Sequence, residues 1–315
     1  MSTSTLPPFV PVGADKVRHL RDGAEAFPAM LSAIEQAKHE VLLEMYWITA
    51  DRIGERFRHA LVAAAGRGVR VCVLYDSFGS LTLPSSFWTP LHACGGRAIE
   101  FNPISPMSSR FRITGITLRD HRKLLVVDGH IGFTGGINFA LQWASPEDGG
   151  DNWRDDAIEV RGPAAQELRA LFFRTWSKTG GLSPSDAQTL KNPRPKRVWV
   201  IADRFNVHPD RSIRRAYIWA IRRARRSVDI ASAYFLPGPL LFRAIRQACK
   251  RGVRVRILIP EQSDVWIVAQ TTNSMIRRML ARGVQVYAYR PRVLHTKTAI
   301  IDDRLGTIGS HNHDA

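Results

Sequence analysis

Cysteine is scarce in this chain: Cys72, Cys94 and Cys249 are the only three in 315 residues. An odd number without CxxC spacing excludes a disulfide framework and a zinc-binding set, and the three read as small apolar residues of a reducing compartment. Acidic residues are also in deficit, with 28 Asp+Glu against 45 Lys+Arg and a formal charge of +17. Such an excess favours a polyanionic partner, either lipid head groups or nucleic acid, without choosing between them. Long apolar runs are missing too. No stretch approaches the ~18 uncharged residues of a membrane span, and the opening MSTSTLPPFVPVG lacks the basic start and apolar run of an export signal. A chain that is soluble, or attached to a membrane only peripherally, is expected.

What the chain does contain is a repeat. AIEQAKHEVLLEMYWI from Ala33 parallels AIRRARRSVDIASAYF from Ala220, each an amphipathic helix running into a β-branched and aromatic strand. RHALVAAAGRGVRVCVLYD, ending at Asp76, parallels RAIRQACKRGVRVRILIPE, ending at Glu261, each a helix closed by glycine before a strand. GGRAIEF and ARGVQVYAY supply a third strand in each half. Alternating strands and helices of these lengths predict α/β halves, each a largely parallel sheet with helices on both faces. SPSDAQTLKNPRPKRV breaks the periodicity with three prolines, so an N-terminal half over 1–182, a linker over 183–198 and a C-terminal half over 199–315 are expected.

One motif occurs once in each half. HRKLLVVD places His121, Lys123 and Asp128, and HTKTAIID places His295, Lys297 and Asp302; both are His-x-Lys-x4-Asp. At the same interval downstream, GGIN supplies Gly135, Gly136 and Asn138, and GSHN supplies Gly309, Ser310 and Asn312. With ordinary residue frequencies the spacing arises by chance at roughly one position in 10⁴. A single copy would read as an edge-strand pair facing solvent; two copies at matching points of a repeat point to a site. Alternate residues of a strand share a face, so each histidine projects beside its lysine, while the aspartates fall at the strand end.

Two imidazoles and two ammonium groups meeting at one pocket suit a phosphodiester and require no metal or cofactor. The lysines and asparagines would bind the nonbridging oxygens, where charge develops in the transition state. One histidine attacks phosphorus while the other, initially protonated, gives its proton to the leaving alcohol and then takes one from the acceptor. Neutral-range imidazole pKa values permit that division of labour, with His121 taken as nucleophile and His295 as acid.

These residues resemble the phospholipase D superfamily, and the motif order AFPAMLSAIEQAKHEVLLEMYW, LYDSFGS, FNPISP, LRDHRKLLVVDG, FTGGIN and NWRDDAIEVRGPAAQELRALFFRTW is similar to that of bacterial cardiolipin synthases without membrane-spanning helices. The resemblance implies two pseudo-symmetric phospholipase D-like α/β sandwich halves with the active site at their interface. It implies transfer of a phosphatidyl group to phosphatidylglycerol through a phosphohistidine, with phosphatidylglycerol or phosphatidylethanolamine as donor. It assigns His121, Lys123, Asp128, His295, Lys297 and Asp302 as active residues, with Asn138 and Asn312, beside Gly136 and Ser310, as phosphate contacts. It also makes Asp155 the carboxylate that orients the first-half histidine, while the second-half counterpart would fall beyond Ala315, where relatives continue with a strand and helix. A sheet without them would expose an edge, so a fragment, or an active form unlike its relatives, is expected.

Peripheral attachment to the cytoplasmic face of the membrane follows from the same reading. The segment NPISPMSSRFRITGI, carrying Met107, Phe111 and Ile113 between arginines, is the expected contact with lipid. The arginine-rich helix RSIRRAYIWAIRRARR is a weaker candidate, since Ile213, Tyr217, Trp219, Ala220 and Ile221 are expected to face its sheet. The rival readings are a superfamily phosphodiesterase cutting nucleic acid, and an inactive relative that only binds membrane or nucleic acid; no recognised DNA-binding motif is present.

Overall fold

Why the chain makes hairpins where an alternating α/β pattern predicts crossovers is visible in its turns. In the computed structural model, which describes all residues except 1–5, 106, 112, 114–117, 185–195, 204–210, 262–274 and 312–315, Asp128 and Gly129 have φ of 50° and 69°. Positive φ at both central positions gives a turn whose twist matches that of two antiparallel strands. Asp302 and Asp303, at 55° and 56°, repeat the geometry without a glycine.

The chain divides into two compact units. Unit 1 comprises 1–152 and 157–200; unit 2 comprises Trp153–Asp156 and 201–315. The division thus assigns to the second unit four residues that the linker reading gave to the first half.

Unit 1 carries β1 (Val10–Val12), β2 (Asp15–Arg21), α1 (Asp22–Glu35), β3 (Glu40–Met45), α2 (Arg52–Gly66), β4 (Arg70–Asp76), α3 (Thr89–Ala93), β5 (Arg97–Phe101), β6 (Lys123–Val127), β7 (Ile131–Gly135), β8 (Asp156–Arg161) and α4 (Pro163–Lys178). Its eight-stranded sheet has the order β1-β2-β8-β7-β6-β3-β4-β5. Pairing is parallel for β3–β4 and β4–β5, but antiparallel for β3–β6, β6–β7 and β7–β8. The largely parallel sheet expected from helix and strand alternation is therefore corrected to a mixed one, because the motif strand β6 returns through the Asp128-Gly129 turn instead of through a helix. Strands β3 and β6 are buried along their whole length, with α1, α2 and α4 packed on the sheet.

Unit 2 carries α5 (Ser212–Arg223), β9 (Ser227–Ser232), α6 (Pro239–Lys250), β10 (Arg254–Pro260), β11 (Gln285–Tyr289), β12 (Lys297–Ile301) and β13 (Leu305–Ile308). The five strands run in the order β11-β10-β9-β12-β13, again parallel at β9–β10–β11 and antiparallel at β9–β12–β13. Its core gathers Ile221, Val228, Phe235, Ile245, Val255 and Ile257 beneath α5 and α6. Burial alternates along β10, and Ile300 on β12 is 51% exposed, so the described helices cover one face of this sheet. On α5, Ala220 and Ile221 face the core as expected, whereas Trp219 is exposed with the Arg223 guanidinium 4.4 Å above its ring. Residue 219 lies off the 3.6-residue stripe of positions 217, 220, 221 and 224.

Glycine ends both repeat helices in the same way. Gly68 and Gly252 have φ of 85° and 82°, and the next N–H reaches back to the last turn, Val69 to Ala64 and Val253 to Ala248. Left-handed backbone at that position is what glycine permits at least cost.

Asp128 and Asp302 each serve as the buckle between the motif hairpin and the strand beside it. Asp128 accepts the backbone N–H groups of Lys38 (3.0 Å), His39 (2.7 Å) and Glu40 (2.9 Å). Asp302 accepts those of Arg225 (2.9 Å), Arg226 (2.7 Å) and Ser227 (3.0 Å). Burial alone would push the Asp128 carboxyl up, but the three N–H donors and the neighbouring His39 outweigh it, so it lies below the usual carboxylate range. Asp302 is lowered through the same balance, helped by Arg226. A depressed folded-state pKa stabilises above the unfolded value of about 4 and is lost as pH falls through the folded value. Asp128→Ala should cost about 2 kcal/mol in chemical denaturation at pH 7, and the difference from wild type should shrink in acid; an unchanged midpoint would remove the buckle role.

Candidate active site

The register of β6 sets the first half of the site. Lys123 pairs with Met45, which brings the end of β3 alongside the residues entering β6. His121, half-buried, lies with its ring 4.5 Å from that of Tyr46. The Lys123 ammonium, 3% exposed as a residue, donates to the His121 carbonyl at 2.8 Å and sits 4.8 Å over the Tyr46 ring. Tyr46 therefore touches both members of the pair. Its phenol is raised above the ordinary value by burial first and by the charge of Asp76 second, with Arg119 opposing.

The approach to His121 is pinned by Asp76 at the end of β4. Its carboxylate accepts the N–H of Asp120 at 2.7 Å and that of Phe78 at 2.9 Å, and it pairs with Arg119 at 3.4 Å. Arg119 also donates to Ser77 Oγ at 2.8 Å and to the Asn102 carbonyl at 3.1 Å, tying the ends of β4 and β5 to the segment that delivers the histidine.

The GGIN turn is tied to the segment that follows β3. Asn138, 1% exposed, uses its amide oxygen to accept the Trp47 N–H at 3.2 Å. Beside it, Phe139 exchanges backbone bonds with Trp47 and Thr49. With Gly136 buried in the same turn, this element seats the Tyr46–Thr49 segment against the motif strand.

In unit 2, His295 is more enclosed, at 7% exposed, and Lys297 more so, at 1%. The Lys297 ammonium donates to the His295 carbonyl and stands 3.1 Å from each ring nitrogen. Asp155, with no exposed surface, holds His295 Nδ1 at 2.6 Å. A carboxylate there accepts the Nδ1 proton and fixes the tautomer. The segment Trp153–Asp156 is laced to the motif by the backbone: Arg154 N–H donates to Val293 and His295 N–H to Arg154, each at 2.8 Å. Asp156 accepts from the Thr296 hydroxyl and pairs with Arg154 at 2.7 Å. The rings of Trp153 and Tyr234 stand 5.9 and 6.4 Å from His295.

Three expectations need correction or restriction. Asp155, assigned by sequence order to His121, serves His295, so the partner of the second histidine lies within the chain and not past Ala315. Asp128 and Asp302 stand at the far end of their five-residue strands from the histidines, with their oxygens on backbone N–H groups that brace the fold. Ser310 is half-buried just after β13, and Asn312 lies outside the described residues.

Two motif hairpins, each presenting a histidine and a buried lysine from the same strand face, agree with what the chain matches. Residues 30–176 and 217–315 fit the family model described as cardiolipin synthase, PLD-like domain. The chain belongs to this cardiolipin synthase family. It is 33% identical over 309 residues to a cardiolipin synthase of Geobacillus thermodenitrificans, covering 96% of this chain and 60% of that protein. It is 33% identical over 306 residues to cardiolipin synthase B of Escherichia coli K12, covering 95% of this chain and 73% of that protein. The chain spans about 60% of the length of the Geobacillus and Bacillus relatives. Among solved structures, phosphatidylserine synthase of Haemophilus influenzae superposes with a TM-score of 0.65 at 14% identity, over 95% of this chain and 78% of that one. Polyphosphate kinase of Porphyromonas gingivalis gives 0.54 at 14% identity, over 92% and 44%. At such identities these two share the fold with this member of the cardiolipin synthase family and say nothing of its substrate.

Sequence reasoning missed Tyr46, Trp153 and Tyr234. The aromatic residues closing EMYW and SAYF were read as strand composition, although an aromatic one or two steps past a strand that pairs with the motif strand is placed to flank the histidine.

Proposed function

We propose that the chain transfers a phosphatidyl group to phosphatidylglycerol, working at the cytoplasmic face of a membrane as a peripheral protein. The observation that carries this reading is the pairing of His295 with a fully buried carboxylate and a buried ammonium, in a chain whose other half carries a second histidine–lysine couple of the same motif. His121 Nε2 attacks phosphorus and forms a P–N bond as the bond to the leaving head-group oxygen breaks. His295 gives its Nε2 proton to that oxygen, and the charge left on the imidazole–Asp155 couple falls. The same nitrogen then takes the proton of a phosphatidylglycerol hydroxyl, whose oxygen attacks phosphorus and breaks the P–N bond. Cardiolipin and free glycerol result when phosphatidylglycerol is the donor, and ethanolamine when phosphatidylethanolamine is. Lys123 and Lys297 neutralise the nonbridging oxygens, where an ammonium in a water-poor site acts most strongly.

Purified chain incubated with phosphatidylglycerol vesicles, alone and with phosphatidylethanolamine, should yield cardiolipin, and the same chain should leave plasmid DNA intact. Nicked plasmid without cardiolipin would replace this reading with the nucleic-acid phosphodiesterase that the charge of +17 also suits.

No described helix is long and apolar enough to cross a membrane. Approach to lipid falls instead to two loops of unit 1. Phe78 and Leu81 follow β4 and are 55% and 56% exposed; Met107 and Ile113 follow β5 and are 94% and 76% exposed. The loop bases are joined by Ser77 and Arg119 to Asn102, immediately before His121. Replacing Met107 and Ile113 together by aspartate should weaken co-sedimentation with anionic vesicles by at least about tenfold, since burying either side chain is worth more than ~1.4 kcal/mol. Unchanged binding would move the lipid contact elsewhere.

A further inference from the structure

The peptide carrying His121 is flanked by two carboxyl groups that the proposed chemistry does not use. Glu44 on β3 and Asp120 are 1% and 2% exposed. Asp120 Oδ1 accepts the Arg122 N–H at 3.1 Å, closing an Asx turn with His121 at its tip. Glu44 Oε1 faces Arg122 Nη1 at 3.2 Å, and the same nitrogen donates to Thr175 Oγ1 at 2.7 Å. One oxygen of each carboxyl remains, and no donor of the described residues reaches Glu44 Oε2 or Asp120 Oδ2. Both carboxyl groups meet Arg122, Asp120 at its backbone N–H and Glu44 at its guanidinium. Two ionised carboxylates buried around one arginine carry a large penalty, and an unsatisfied buried oxygen is costly by itself.

We propose that Glu44 and Asp120 share one proton, and that this pair is the positioning element that holds the Asx turn presenting His121. One proton completes the accounting: Glu44 Oε2–H donates to Asp120 Oδ2, and the remaining single negative charge faces Arg122. Asp120 then has every oxygen committed, and its own N–H is held by Asp76. Glu44 is pushed well above the usual carboxylate range, by burial first and then by the charge and hydrogen bond of Asp120, with Arg122 opposing. Neither residue touches substrate; their effect reaches the reaction through the ring of His121, and to that extent the inference rests on the role proposed for that histidine.

Infrared difference spectra separate the two layers. Wild type at neutral pH should show the C=O stretch of a protonated carboxylic acid that disappears in Glu44→Gln and in Asp120→Asn. Glu44→Gln, whose amide donates where the acid did, should keep the wild-type melting temperature and form the phosphohistidine within threefold of the wild-type rate. Glu44→Ala should bind vesicles normally but form the intermediate roughly 10²-fold more slowly, the loss expected for a misplaced nucleophile. Absence of the acid band overturns the shared proton. A Glu44→Ala chain as fast as wild type overturns the positioning role, as does a Glu44→Gln chain as slow as Glu44→Ala. A wild-type chain that makes no cardiolipin but shows the band, with a His121 ring signal shifted in Glu44→Ala and restored in Glu44→Gln, would fail the lipid reading and leave the pair standing.

Discussion

His121→Ala should make no covalent intermediate at all, and its cardiolipin synthesis should fall by roughly 10⁴–10⁶-fold, the loss seen when a nucleophile that acts as a unit with its partners is removed. His295→Ala should lose as much with natural lipids but for another reason, and a substrate with a better leaving group tells the two apart. A p-nitrophenyl phosphodiester needs no proton on its departing oxygen. His295→Ala should therefore still release one equivalent of nitrophenol and then stall, because no base remains to activate the acceptor. The trapped label should be acid-labile and map to the peptide containing His121. Label on the peptide of His295 in the His121→Ala chain would exchange the two roles, and a nitrophenol burst from neither would end the phosphohistidine mechanism.

The motif was legible because strand geometry acts at the shortest range. Residues two apart on a strand share a face whatever the tertiary context, so His121 with Lys123 and His295 with Lys297 could be paired from spacing alone. Strand direction was not, although half the signal was present: Asp128-Gly129 is a hairpin dipeptide, and reading it as a strand end left the sheet parallel. In the second copy the glycine is replaced by Asp303, and only the repeat carries the inference. The motif aspartates were misread because their value lies in backbone N–H groups of another strand, 88 to 90 positions away in sequence for Asp128, which no side-chain pattern encodes. Asp155 failed for a related reason. Proximity along the chain made it the servant of His121, but the four residues around it fold with unit 2 and hydrogen-bond to the strand entry at Val293 and His295. Glu44 was hidden in plain view inside LLEM: an acidic residue in a wholly buried strand is a local inconsistency, and such inconsistencies concentrate where function is built.

Removing that misassigned carboxylate should slow turnover severely, though less than removing the histidine it holds. Asp155 has no exposed surface and grips His295 Nδ1 at 2.6 Å, while the Lys297 ammonium stands 3.1 Å from both ring nitrogens. The carboxylate decides which nitrogen carries the fixed proton, and without it the imidazole is free to turn or to change tautomer. Asp155→Asn offers either an oxygen or an N–H to Nδ1, and the second choice makes Nε2 the protonated nitrogen of a neutral ring. Both Asp155→Ala and Asp155→Asn should reduce kcat for cardiolipin formation by roughly 10²–10⁴-fold, the span between outer partners of catalytic imidazoles and the buried aspartate of a triad. KM for vesicles should hold within about threefold, because no lipid contact is removed. The nitrophenyl substrate again divides the possibilities: its burst should survive in Asp155→Asn while turnover does not. A loss confined to thermal stability, with kcat intact, would make Asp155 a strand clasp like Asp156 and leave His295 to be oriented by Lys297 and the rings of Trp153 and Tyr234.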